Sequence, residues 1–236
     1  MTKSKIALPK IGSLEEWHKA RLELLAKEKE VTQALDALAA ERRRLPMVHV
    51  EDKYIFSGPE GEVSLRGLFQ GYRQLIVYSA MLEPGAEPCS GCSMVMDNIG
   101  HNLAHIKARD TRFVFASPAP QSEIIALQTR MEWNTPWYTD HHRRFADDFD
   151  AGMGFAVNVF IRDDQNNLFR TYFTTDRGGE VFDTHFRLLD LTPYGRQETW
   201  EDSPKGWPQT PPYQWWRLHD EYDTEAGNCC GKNKVT

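Results

Sequence analysis

The chain has 236 residues, a formal net charge of −6, 40% apolar and 26% charged residues. That supplies a sizeable core for one domain with extensions or for two small ones, and it is too acidic for a general nucleic-acid binder. No apolar run reaches the roughly 20 residues that cross a bilayer, and residues 1–9 hold lysines but no apolar stretch before Pro9, so no signal peptide is expected. The expected setting is the cytoplasm, with neither nucleic acid nor membrane as partner. Thiols are mostly kept reduced there, so a cysteine pair is more often catalytic or metal-binding than a permanent staple.

In chain order, Ser13-Leu14-Glu15-Glu16 is a capping-box pattern with Ser13 as N-cap and Glu16 at N3. Nothing breaks a helix from there until Pro46. Leu14, Trp17, Leu24, Val31, Leu35 and Leu38 form an apolar stripe opposite glutamates and lysines. Residues 1–46 therefore read as a helical extension, either packed on its own domain or serving as the arm of a homodimer. Arg42-Arg43-Arg44 reads as a solvated helix end, where cations are favoured. Residues 54–56 and 62–65 read as a hairpin with a loose turn, and residues 65–69 as a helical turn. Residues 74–81, Gln-Leu-Ile-Val-Tyr-Ser-Ala-Met, read as a buried strand.

A polar loop with Pro84, Gly85 and Pro88 ends that strand, and Cys89-Ser90-Gly91-Cys92 follows. The next segment reads as one helix to about Arg109, with Val95, Ile99, Leu103 and Ile106 on one face. Two thiols thus stand where a helix begins. Unpaired N–H groups and the positive dipole end favour a thiolate there, and the thiolate is the nucleophile of disulfide exchange. On this geometry Cys89, nearer the loop, attacks, and Cys92, one turn in, resolves the mixed disulfide. A C-x-x-C opening a helix in an α/β pattern is a signal for a thioredoxin-like redox site. Two structural thiols, or half of a zinc site, remain the alternatives.

Beyond the helix, residues 111–116 read as a second buried strand and residues 122–133 as a helix. Residues 135–138 read as a short strand and residues 141–150 as a polar loop. Residues 154–161 and 168–174 form the clearest hairpin, and residues 181–191 a last helix. From Thr192 on, Pro, Trp and charge dominate, and the extension is expected to be ordered in part around Trp215 and Trp216. This order fits an α/β thioredoxin-like fold, a central mixed sheet flanked by helices, over residues 47–192. Residues 193–236 make an irregular C-terminal extension and tail. The loop after the first buried strand then lies at the carboxyl end of a central strand, where open α/β folds place their sites.

No metal is expected. Cys89, Cys92, His101 and His105 make a Cys2His2-like string, but on a continuous helix Cys92 and His101 stand about 13 Å apart, too far for shared ligand bonds of ~2.0–2.3 Å. His141 and His142 lie in a polar loop without distinctive ligand spacing. Residues 163–167 lack the glycine and glutamate of a calcium loop and read as a turn. No cofactor is expected either, since neither a phosphate-binding loop nor G-x-G-x-x-G occurs. The remaining cysteines, Cys229 and Cys230, adjoin one another near the end. They are two reactive thiols of the tail, or a second redox pair or soft-metal clip exchanging electrons with Cys89 and Cys92.

Several stretches together resemble a known family: Tyr54-Ile55-Phe56, Ser64-Leu65 with Leu68-Phe69, the Cys89 and Cys92 motif, Phe113-Val114-Phe115-Ala116-Ser117-Pro118-Ala119-Pro120, and Asp190-Leu191-Thr192-Pro193-Tyr194-Gly195-Arg196. With Trp216-Arg217-Leu218-His219-Asp220-Glu221-Tyr222 they are similar to the thioredoxin-like family called domain of unknown function 899, from about Trp17 to Tyr222. The resemblance implies a thioredoxin-like fold and a dithiol–disulfide oxidoreductase acting on an unknown disulfide with an unknown reductant. Two features depart from working thioredoxins. Gly152-Met153-Gly154-Phe155 stands where a cis-proline usually precedes the hairpin, and Pro88 rather than tryptophan precedes Cys89. The peroxiredoxin pattern Pro-x3-Thr/Ser-x2-Cys is not met, because counting back from Cys89 gives Ala86 and Leu82. A peroxidase therefore ranks below dithiol exchange, and a thioredoxin-fold binding module is the reading from a different class.

Overall fold

A computed structural model describes residues 7–222. Its centre is one eight-stranded sheet of β1 (Val48–Val50), β2 (Ile55–Gly58), β3 (Gly61–Ser64), β4 (Gln74–Ser79), β5 (Thr111–Ser117), β6 (Trp137–Asp140), β7 (Ala156–Arg162) and β8 (Leu168–Thr174). The strand order is β1-β8-β7-β4-β5-β6-β2-β3. β4 runs parallel to β5 and antiparallel to β7, and β7 and β8 form the hairpin. This parallel pair, joined through a helix and continued by an antiparallel hairpin, is the thioredoxin arrangement. β6 extends it in parallel beyond β5.

Alternation along the central strands separates two cores, because successive side chains leave a strand on opposite faces. Leu75 and Val77 of β4 and Val114 and Ala116 of β5 pack on one face with Phe56, Phe145 and Phe160. Tyr78, Phe113 and Phe115 point to the other, against Cys92, Val95, Ile99 and Leu103. The thiol pair therefore belongs to the second core.

The helices are α1 (Leu14–Arg42), α2 (Leu65–Leu68), α3 (Ser90–Ile99), α4 (Leu103–Lys107), α5 (Gln121–Arg130), α6 (Arg144–Asp148) and α7 (Thr184–Asp190). The Ser13 capping box forms as expected. The apolar stripe, however, does not pack on its own domain: α1 buries no residue, and Trp17 is 58% and Val31 59% exposed. No helix among the described residues is long and apolar enough to cross a membrane.

Three expectations need correction. The helix behind the cysteines is not continuous. α3 gives way to a 3-10 turn at Gly100–Asn102 before α4, where a Cβ on Gly100 would meet Asn134 Oδ1 at 3.1 Å and Asn98 and Asn102 side chains bond back to Met94 and Asn98 carbonyls. Residues 141–150 are not a loop. The buried Asp140 carboxylate accepts from the Phe145 and Ala146 N–H groups at 3.0 and 2.9 Å and starts α6, which Phe145 anchors in the core. The last helix is split too, a 3-10 segment at Asp176–Phe182 preceding α7. There Gly179 lets the backbone approach Phe155, whose ring stands 2.5 Å from where a Cβ would lie.

Candidate active site

The site lies beyond the carboxyl end of β4. After Ser79 the chain turns through residues 80–88 and enters α3, with Cys89 as the N-cap residue. The Cys89 carbonyl accepts the first helical bond from the Ser93 N–H at 3.0 Å and a second from Ser93 Oγ at 2.9 Å. This turn places both thiols on the side of the sheet that carries Tyr78. Both are free; Cys89 is half-buried and Cys92 is buried.

Their surroundings set the two thiols apart. The Cys92 thiol donates a hydrogen bond to Cys89 Sγ, and this chiefly pulls the Cys89 pKa down to about 6 against burial, with the Cys92 and Gly91 backbone N–H groups helping. Cys92 is pushed well above the usual thiol range, first because it holds that proton and then by burial. The Met81 N–H at 3.5 Å and the Tyr78 hydroxyl at 3.6 Å donate to Cys92 Sγ and oppose the rise. Tyr78 itself is buried and stacked on Phe155 at 5.2 Å with nearly parallel rings. An accessible thiolate backed by a buried, protonated thiol is the ground state that stepwise disulfide exchange requires.

The extension after α7 covers the thiols. Arg196, its side chain 5% exposed, grips both Asp190 carboxylate oxygens at 2.9 and 3.1 Å and Glu180 at 3.2 Å. The buried Glu198 carboxylate accepts from Trp200 Nε1, the Tyr213 N–H and Trp215 Nε1, at 2.5, 2.9 and 2.8 Å. Farther on, His219 Nδ1 lies 2.6 Å from Asp97 Oδ1 on α3, and Arg130 on α5 holds Asp220 through two bonds. Between these anchors Trp216 lies over the C-x-x-C turn, 2.8 Å from where a Cβ on Gly91 would stand. The covered space is a cavity of about 540 Å³ lined by Cys89 and Cys92 as well as Phe155, Asp183, Trp200 and Trp216.

Cys89 and Cys92 are thus together, as their spacing requires. No group of His, Cys, Asp and Glu among the described residues is arranged to hold a metal ion. His101 and His105 lie on the exposed side of their segment. His141 Nε2 bonds Ser57 Oγ at 2.7 Å, away from the thiols' cavity. Residues 163–167 form a turn closed by the Asp163 carboxylate. Cys229 and Cys230 lie outside the described residues. Sequence reasoning missed Tyr78, Phe155, Asp183 and the covering role of Trp216. Only the density of tryptophan after residue 199 pointed that way.

Strand order and site together define a thioredoxin-fold protein with a paired thiol at a helix start. The chain belongs to the family described as bacterial protein of unknown function, DUF899, whose model matches residues 6–222. Peroxiredoxin Q of Xanthomonas campestris superposes with a TM-score of 0.45 at 12% identity, over 62% of this chain and 95% of that one. Prx1a of Plasmodium yoelii gives 0.43 at 16%, over 62% and 87%. A Chlorobium tepidum protein described as a thiol:disulfide interchange protein, DsbE, gives 0.38 at 12%, over 61% and 93%. Likenesses this distant add nothing to the topology already described. No curated protein matches the chain.

Proposed function

We propose that the protein is a thiol–disulfide oxidoreductase that uses Cys89 as nucleophile and Cys92 as resolving thiol. The observation that carries this reading is the asymmetric pair: a half-buried Cys89 held near pKa 6 by a proton that buried Cys92 retains. In the first step Cys89 Sγ attacks one sulfur of a substrate disulfide. The S–S bond breaks, one thiolate leaves and takes a proton from water, and a mixed disulfide forms. Cys92 then loses its proton and attacks Cys89 Sγ, releasing the second thiol. Two electrons pass to the substrate, the Cys89 and Cys92 disulfide remains, and an external dithiol restores the pair.

The test is trapping. Cys92→Ser, with Cys229 and Cys230 also replaced by serine, should accumulate mixed disulfides through Cys89 when offered disulfides, at least ten-fold over Cys89→Ser in the same background. Equal adducts in the two variants would leave the thiols without a catalytic part.

A further inference from the structure

The cavity over the thiols has a chemical character of its own. Four carboxyl groups line it, from Asp176, Glu180, Asp183 and Glu198, against two guanidinium groups, from Arg177 and Arg196. Both cations already have carboxylate partners. Arg177 is paired with Glu180 at 2.8 Å, and Arg196 is occupied by Glu180 and Asp190. Glu198 is saturated by its three N–H donors. The rest is aromatic or apolar, chiefly Phe155, Phe186, Trp200 and Trp216 with Met81 and Val95.

Two polar groups of this lining turn a buried atom away from the open space. Asp183 is only 8% exposed, and its Oδ1 has no hydrogen-bond partner among the described residues. Burial, with Glu180 adding and Arg196 opposing, pushes its pKa up to about 7, so near neutral pH it can present either an acceptor or an O–H donor. Trp216 Nε1 is likewise buried without a partner among the described residues. About 540 Å³ lies within the ~300–1,000 Å³ range of small-molecule sites.

We propose that this chamber binds a small, uncharged, largely aromatic disulfide, packed among the rings of Phe155, Trp200 and Trp216 with one sulfur against Cys89, and that such compounds rather than disulfides of folded proteins are the substrates. The inference rests on the dithiol reading above. Its step is RS–SR′ plus the Cys89 and Cys92 dithiol giving RSH, R′SH and the Cys89 and Cys92 disulfide. The aromatic walls favour small substrates: Trp216 lies against the turn between the cysteines, and Phe155, stacked on Tyr78, lines the same space. The excess of carboxyl groups disfavours anions.

The experiment uses the full chain with Cys229 and Cys230 replaced by serine, reduced and freed of reductant. Single-turnover thiol release is followed with neutral 2,2′-dithiodipyridine, doubly anionic 5,5′-dithiobis(2-nitrobenzoate) and insulin. In parallel, binding of 2,2′-dithiodipyridine to the chain with all four cysteines replaced by serine is read by quenching of tryptophan fluorescence. The proposal expects saturable binding and saturating turnover with the neutral compound, and at least ten-fold lower apparent second-order rates with the other two. Trp216→Ala should weaken binding at least ten-fold. Met81→Trp, which fills the chamber and leaves the roof in place, should do the same should Trp216→Ala loosen the fold. Exchange without saturable binding, or with insulin as fast as with the neutral compound, overturns the substrate class and leaves the dithiol function standing. Saturable binding without thiol release overturns the dithiol function and with it the disulfide character of the guest.

Discussion

At the scale of residues, the site depends on unequal sharing of protons. Removing the Cys92 donor with Cys92→Ala takes away the largest cause of Cys89 acidity. Measured as the pH profile of iodoacetamide alkylation in a background lacking Cys229 and Cys230, the midpoint should rise from about 6 by about one unit or more. An unchanged midpoint would transfer the effect to the helix start alone. Asp183 titrates in the opposite sense. Its folded pKa is raised to about 7 from an ordinary 3.8, so between those values the folded chain binds more protons than the unfolded one. Its contribution to stability is therefore complete below about pH 4 and is lost as pH rises through 7. The groups facing it are Glu180, Arg196 and His185, the last with Nδ1 4.0 Å from Oδ1. Asp183→Asn should come nearest to wild type in urea denaturation at about pH 3.5 and exceed it at pH 8 by up to about 4 kcal/mol more; parallel pH curves would contradict the assignment.

At the scale of elements, the covering segment is held mainly by ion pairs and indole hydrogen bonds rather than by a ladder. Among the described residues it makes one isolated bridge, Glu198 with Thr210. Arg196 is the key tie, because its nearly buried guanidinium also lies 4.4 Å from the Phe186 ring centroid and 5.5 Å from that of Trp200. Arg196→Met leaves Asp190 and Glu180 without that cation; both carboxylates reach solvent and Glu180 keeps Arg177, so the cost falls below the ~3–5 kcal/mol of a fully buried pair. The loss should be local. Amide exchange should accelerate in residues 197–216, where Thr199 and Thr210 N–H groups now bond across the segment, and stay unchanged in β4 and β5. Equal acceleration in those strands would mean that the segment and the sheet unfold as one unit.

At the scale of the whole molecule, α1 is the unsatisfied element. Leu14, Trp17, Leu24, Val31, Leu35 and Leu38 follow alternating steps of three and four or their sevenfold sums, and every one is at least 42% exposed. The two gaps in that seam are Arg21 and Glu28, joined to each other at 2.9 Å. A stripe with this spacing is the pairing seam of a coiled coil, and a second copy supplies the same stripe. Wild type should sediment as a dimer at micromolar concentration and Val31→Lys with Leu35→Lys as a monomer, with Cys89 alkylation unchanged because these side chains are exposed within one chain. A monomeric wild type would dismiss the pairing.

What the sequence determined by itself is local and periodic. The capping box at Ser13, the alternation that makes β4, β5 and the β7 and β8 hairpin, and the two thiols at the start of α3 follow from neighbours within one or two turns. Polar stretches misled where packing decides: the core around Phe145 holds a helix, started by Asp140, in what reads as loop, and the chain breaks what reads as one helix at Gly100, which lies close to Asn134. The roof was beyond reach for the same reason. Arg196 and Glu180 are 16 residues apart, and His219 and Asp97 are 122. Tertiary structure alone brings Trp216 over Gly91 and buries Asp183 beside the thiols' cavity. Burial, which sets the state of that carboxyl and divides the proton between Cys89 and Cys92, is a property of the packed molecule and of no single segment.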